Sequence, residues 1–101
     1  MNTKEDHALV TVLLAVYNGE EFIRESLESI SNQSFTNFSV LIINDGSTDK
    51  TLQIINEYIE KDSRFQCISR ENRGLIKSLN EGIEQINTKY IARMDADDLW
   101  H

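Results

Sequence analysis

Seven residues, Val10-Thr-Val-Leu-Leu-Ala-Val16, form an almost unbroken apolar run, and nothing else in the chain restricts its fold so strongly. A strand with one wet face would alternate apolar and polar residues; this one does not, so both of its faces must be covered. A strand of that kind sits inside a parallel sheet with helices on either side, and parallel neighbours must be joined by helical crossovers. The rest of the chain has the pieces. Phe38-Ser-Val-Leu-Ile-Ile-Asn44 reads as a second strand, and Phe65-Gln-Cys-Ile-Ser69 as a shorter third, polar at alternate positions as an edge strand is. Tyr90, Ile91, Ala92 and Met94 mark a fourth.

Between the strands lie helical stripes. Ile23, Leu27 and Ile30 predict a helix from about Gly19 to Gln33, with Asn18 as its cap and Glu21 three residues on. Leu52, Ile55 and Ile59, widened by Tyr58, predict a second that ends at Asp62-Ser63 and is capped by Thr48 or Ser47. Leu75, Leu79, Ile83 and Ile86 predict a third. The alternation predicts an α/β fold: Rossmann-like, three-layer α/β/α, with a parallel sheet in the order 3-2-1-4 and right-handed crossovers.

In that order the first and fourth strands are neighbours, and the crevice beyond their C-terminal ends is where such sheets bind ligands. Three loops converge there, carrying Tyr17-Asn18, Asp45-Gly46-Ser47 and Asp95-Ala96-Asp97. Asp95, Asp97 and Asp98 repel one another unless they are solvated, one is protonated, or a divalent cation lies among them. Their oxygens suit Mg2+ or Mn2+; a solvated acidic turn is the alternative. The loop is no EF-hand, because Trp100 stands where the turn glycine is required. Tyr17 can offer an aromatic face to a nucleobase or pack on the first helix. Asp45 can accept a uracil imide N–H, or belong to a turn in which Gly46 takes positive φ. Arg73 and Lys77 can reach phosphate or base, or face water.

A net charge of −7 excludes the phosphate backbone of nucleic acids as a partner. A small phosphorylated ligand remains compatible if a metal ion or helix N-termini supply positive potential. The 101 residues make one domain at most, no apolar run approaches a membrane span, and the polar start lacks a signal sequence, so a cytoplasmic location is expected. Cys67, in the third strand, is expected to be a buried structural thiol. His7 and His101 have no partner at zinc-ligand spacing.

The segments Val12-Leu-Leu-Ala-Val-Tyr-Asn18, Leu41-Ile-Ile-Asn-Asp-Gly-Ser-Thr-Asp49, Asn72-Arg-Gly74 with Asn80-Glu-Gly82, and Arg93-Met-Asp-Ala-Asp-Asp98 occur in an order and at separations that resemble the family 2 glycosyltransferases of the GT-A fold. The resemblance covers nearly all of the chain. It implies a metal-dependent transfer of sugar from a nucleotide diphosphate sugar, a UDP-sugar first, to a saccharide or lipid-linked acceptor, as in cell-surface polysaccharide biosynthesis. It assigns the nucleotide to Ala15, Tyr17, Asn18, Asp45, Arg73, Asp95 and Ala96, and the Mg2+ or Mn2+ to Asp97 and Asp95, the family's DxD motif. Members of that family continue into an acceptor-binding half that holds the general base. Residues 1–101 are therefore expected to be the donor-binding half, truncated after the DxD motif, inactive alone and prone to homodimerise through an open sheet edge. A nonenzymatic nucleotide-sugar-binding module, or a subunit of a split enzyme, is the alternative. A phosphoacceptor receiver domain would want an acidic pair where Tyr17-Asn18 stands.

Overall fold

Both faces of the first strand are covered. A computed structural model describes residues 9–33 and 37–95. Its elements are β1 (Val10–Val16), α1 (Glu20–Ser31), β2 (Phe38–Asp45), α2 (Thr51–Lys61), β3 (Phe65–Arg70), α3 (Leu75–Glu84) and β4 (Tyr90–Asp95). The strands form one sheet in the order β3-β2-β1-β4, every pair parallel, as the alternation predicts. The fourth strand runs one residue further than Met94, so Asp95 is its last residue.

Side chains alternate across the sheet and divide the core in two. Val12, Leu14 and Val16 of β1 point to one face, with Val40 and Ile42 of β2, and meet Ile23, Leu27 and Ile30 of α1 and Ile54, Ile55 and Tyr58 of α2. Leu13, Ala15, Leu41 and Ile43 point to the other and meet Leu79 of α3. Arg64 ties the first layer together at the foot of the sheet. Its guanidinium bonds Asp62 at 2.6 Å, donates to the Ser31 carbonyl at the end of α1, and lies 4.4 Å from the centre of the Phe38 ring. Higher up, the Tyr58 hydroxyl donates to Glu28 across the α1–α2 seam. Burial, and then that carboxylate, push the phenol up to about 12.

Two stripes differ from their sequence reading. The buried side of α2 is Thr51, Ile54, Ile55 and Tyr58, so Leu52 and Ile59 lie at its margins. In α3 the buried residues are Ser78, Leu79 and Gly82, whereas Ile83 is 46% exposed and Leu75 and Ile76 also face outward. Close approach explains the choice. A Cβ on Gly82 would stand 2.8 Å from Leu13 Cδ1 and 3.2 Å from Ile43 Cγ1, so only a helix face of small residues can lie this near the sheet. Cys67 is half-buried rather than buried, on the edge strand, and burial raises its thiol pKa. No helix among the described residues is long and apolar enough to cross a membrane.

Candidate functional site

Register brings the chemically distinctive residues to one rim. Ala15 pairs with Asp95 on β4, Val16 with Asn44 on β2, and Asp45 with Arg70 on β3, so the three loops leave the sheet side by side at its C-terminal edge. Tyr17 follows β1 and is 45% exposed, its ring at the rim rather than in the core. Ala96, Asp97 and Asp98 lie outside the described residues; of Asp95 the strand position is described.

Asn18 adopts φ 51°, a left-handed conformation that asparagine tolerates better than most residues. It does not cap α1, whose N-cap is Gly19. Its Oδ1 accepts the Thr48 N–H at 2.7 Å, and its own N–H donates to Ser47 Oγ at 2.9 Å. The neighbouring bonds continue the lacing. The Gly19 N–H donates to Thr51 Oγ1, the Glu20 N–H to Asp49 Oδ2, and the Lys50 N–H to Glu20 Oε1. Asp49 also accepts from the Thr51 N–H, a bond expected of Thr48 or Ser47 from the sequence. Tyr17 is thus held by a loop stitched to the one after β2.

Asp45 is 0% exposed. Its Oδ1 accepts the Arg73 N–H and the Ser78 hydroxyl, both at 2.8 Å, and its Oδ2 accepts the Gly74 N–H at 3.0 Å. Burial alone would raise its pKa, but these bonds, aided by the charge of Arg70, outweigh it and hold the carboxyl below the usual range. Asn72 completes the junction by donating to the Asp45 carbonyl at 3.1 Å. Gly46 has φ 78°, and a Cβ there would come within 2.5 Å of the Asn72 nitrogen, so glycine is required on both counts.

Each helix N-terminus is therefore met by the chain's own acids: α1 by Asp49, α2 by Asp49 and Glu20, and α3 by Asp45. Part of their positive potential, which the sequence offers to an anion, is thereby engaged; at α3 the bonded N–H groups, of Arg73 and Gly74, lie just ahead of the first turn. The guanidinium of Arg73 does not point along the rim but bonds Glu81 at 3.0 Å, and Arg70 pairs with the same carboxylate. Ser78, Asn72, Asp49, Thr51 and Glu81 are the participants that sequence reading missed. Asp49, Asn72 and Glu81 did lie in the quoted motif segments, without a role of their own, and Ser78 left a trace as a polar residue beside Leu79 on the α3 stripe.

A family model described as Glycosyl transferase family 2 matches residues 11–101. An uncharacterized glycosyltransferase of Haemophilus influenzae is 47% identical over 96 residues, which are 94% of this chain and 30% of that protein. Among solved structures, the mannosyltransferase PcManGT from Pyrobaculum calidifontis, in complex with GDP-Man and Mn2+, superposes with a TM-score of 0.84 at 26% identity, over 93% of this chain and 29% of its own. S. aureus TarS 1-349, in complex with UDP-GlcNAc, does so with a TM-score of 0.80 at 31% identity, over 89% of this chain and 27% of its own. The chain spans less than a third of the length of each of these proteins.

Proposed function

The chain belongs to glycosyl transferase family 2, and from that membership we propose that residues 1–101 are the donor-binding part of an enzyme that moves a sugar from a nucleotide diphosphate sugar to an acceptor hydroxyl. The observation that carries this reading is the register that brings the C-terminal ends of β1, β2 and β4, and with them Ala15, Tyr17, Asp45 and Asp95, to one rim beside the switch point between β1 and β4. Two structural neighbours, bound to UDP-GlcNAc in one case and to GDP-Man with Mn2+ in the other, support it.

In this reading Tyr17 stacks on the base of a UDP-sugar. Asp45 is enclosed by Arg73, Gly74 and Ser78, so it would meet the uracil imide only where the rim opens onto Oδ2, which carries a single bond and has lone-pair capacity left. Ala15 gives the nucleotide room beside β4, and Asn18 holds the loop against it. Arg73, Asp95 and Ala96 complete the nucleotide contacts.

Asp97 and Asp95 are the residues that would hold Mg2+ or Mn2+. The fit is chemical: hard oxygen donors beside a rim where carboxylates already take N–H groups at the start of each helix, in a chain of net charge −7. When bound, such an ion neutralises the departing diphosphate as a Lewis acid. The acceptor, a saccharide or a lipid-linked one, and the base that deprotonates it come from outside these residues. Among the described residues β4 pairs with β1 alone, and its other edge, where Tyr90 and Ile91 are exposed, is the surface through which the isolated chain would pair with a second copy.

Calorimetry tests the reading. UDP is expected to bind with Mn2+ and not without it, and Asp97→Ala to remove most of the binding. Asp62, though distant from the rim, is no neutral control because it anchors Arg64. Exposed Glu60 replaces it, and an equal effect of Glu60→Ala would refute the metal site. Sugar transfer by the isolated chain would refute the half-enzyme reading. UDP-sugar binding that never leads to transfer, even with an acceptor-binding half supplied, would favour a nonenzymatic module.

A further inference from the structure

Two guanidinium groups spring from backbone that adjoins Asp45. Arg70 is its register partner on β3, and Arg73 donates its N–H to it. Both side chains turn to Glu81, which sits two turns along α3, accepts a hydrogen bond from Arg73 Nη1 on Oε2 at 3.0 Å and is ion-paired with Arg70. We infer that Glu81 keeps Arg73 in reserve, and that a nucleoside diphosphate binds by drawing this guanidinium off the carboxylate onto its phosphates, so that Glu81 sets donor affinity. This rests on the nucleotide reading of the rim.

The two ion pairs differ in a way that makes the exchange feasible. The Arg73 side chain is 43% exposed, and an ion pair so open to water holds weakly. Arg70 is 18% exposed and stays with Glu81. When Arg73 leaves, the partly buried carboxylate keeps a counter-charge, which avoids the cost of stranding it. Phosphate suits a guanidinium because it can receive two parallel N–H bonds. Next to Arg73, Gly74 leaves space: among the described residues a Cβ on it would have nothing within 4 Å.

Titration of UDP, and separately of uridine, with Mn2+ into the wild-type chain, Glu81→Gln, Arg73→Ala and the double variant tests this. Glu81→Gln is expected to tighten UDP roughly two- to fivefold, the range an exposed ion pair supports, and to leave uridine unchanged. Arg73→Ala should weaken UDP, and the double variant should match Arg73→Ala. The inference falls if Glu81→Gln binds UDP no tighter than the wild type. It also falls if the gain persists without Arg73, or if uridine gains equally, since any of these makes the effect one of general charge or structure. UDP binding by none of the four proteins would remove the nucleotide reading together with this one, whereas wild-type binding that Glu81→Gln leaves unchanged removes this one alone. Should Glu81→Gln melt early, Glu81→Asp keeps the test alive. One methylene shorter, it is expected to loosen Arg73 and tighten UDP by a smaller factor.

Discussion

The two faces of the sheet are built on different principles. Toward α1 and α2 the core is broad and apolar, with Leu27, Ile30, Ile42 and Ile55 fully enclosed, and its polar contacts, Arg64 to Asp62 and Tyr58 to Glu28, lie at the seams. Toward α3 the core is thin. A buried carboxylate, a buried serine and a glycine occupy positions where the other face has branched aliphatics, and Leu75, Ile76, Ile83 and Ile91 are left exposed. The first face holds the sheet together; the second trades apolar burial for the hydrogen bonds that fix the rim.

The largest expected effect contrasts two isoleucines on helices. Ile55→Ala should lower unfolding stability by about 2–5 kcal/mol, while Ile83→Ala should stay within about 0.5 kcal/mol, as read by urea denaturation. A reversal would mean that α3 packs through its aliphatic stripe after all.

Gly82→Val sharpens the contrast from the other side. The added atoms would collide with Leu13 and Ile43, and a loss of about 1–3 kcal/mol is expected from overpacking. A neutral result would show that α3 can stand further from the sheet.

Asp45→Asn should cost about 1–3 kcal/mol at pH 7, because an amide cannot accept all three bonds without turning a donor toward a donor. The pH dependence has a definite sign. The folded carboxyl is held below its unfolded value of about 3.9, so its contribution is complete above that value and is lost as pH falls through the lower, folded one. The gap between wild type and variant should therefore narrow as pH drops below about 4. A gap that widened would show that Asp45 is neutral in the folded chain.

The smallest effect concerns association. Light scattering over a concentration series should show the isolated chain pairing through β4, and Ile91→Lys should keep it monomeric, since a lysine on an edge strand blocks addition of another strand. A wild-type chain that stays monomeric at high concentration would argue that this edge needs no partner.

Strand order and layer count were legible in the sequence because they depend on patterns local to each element. The apolar run from Val10 to Val16 demanded two covers, and four strands alternating with three helical stripes left few ways to supply them. The rim itself was legible in the same way, since strand ends and turn residues mark it. What the residues there do to one another was not. Asn18 reads as a cap and instead laces two loops; Asp45 reads as an exposed acceptor and is buried against α3; Arg73 reads as free to meet a ligand and is held by Glu81. Each of these depends on a partner 8 to 33 residues away, brought close by the crossovers or, for Arg73 and Glu81, by the course of α3. Periodicity also misjudged α3, because it counts apolar side chains, whereas the distance between helix and sheet was set by the absence of one at Gly82. Local pattern therefore determined which elements form and in what order they pair. Tertiary structure alone decided which polar atoms meet, because hydrogen bonds and ion pairs act over a few ångströms that no spacing along the chain encodes.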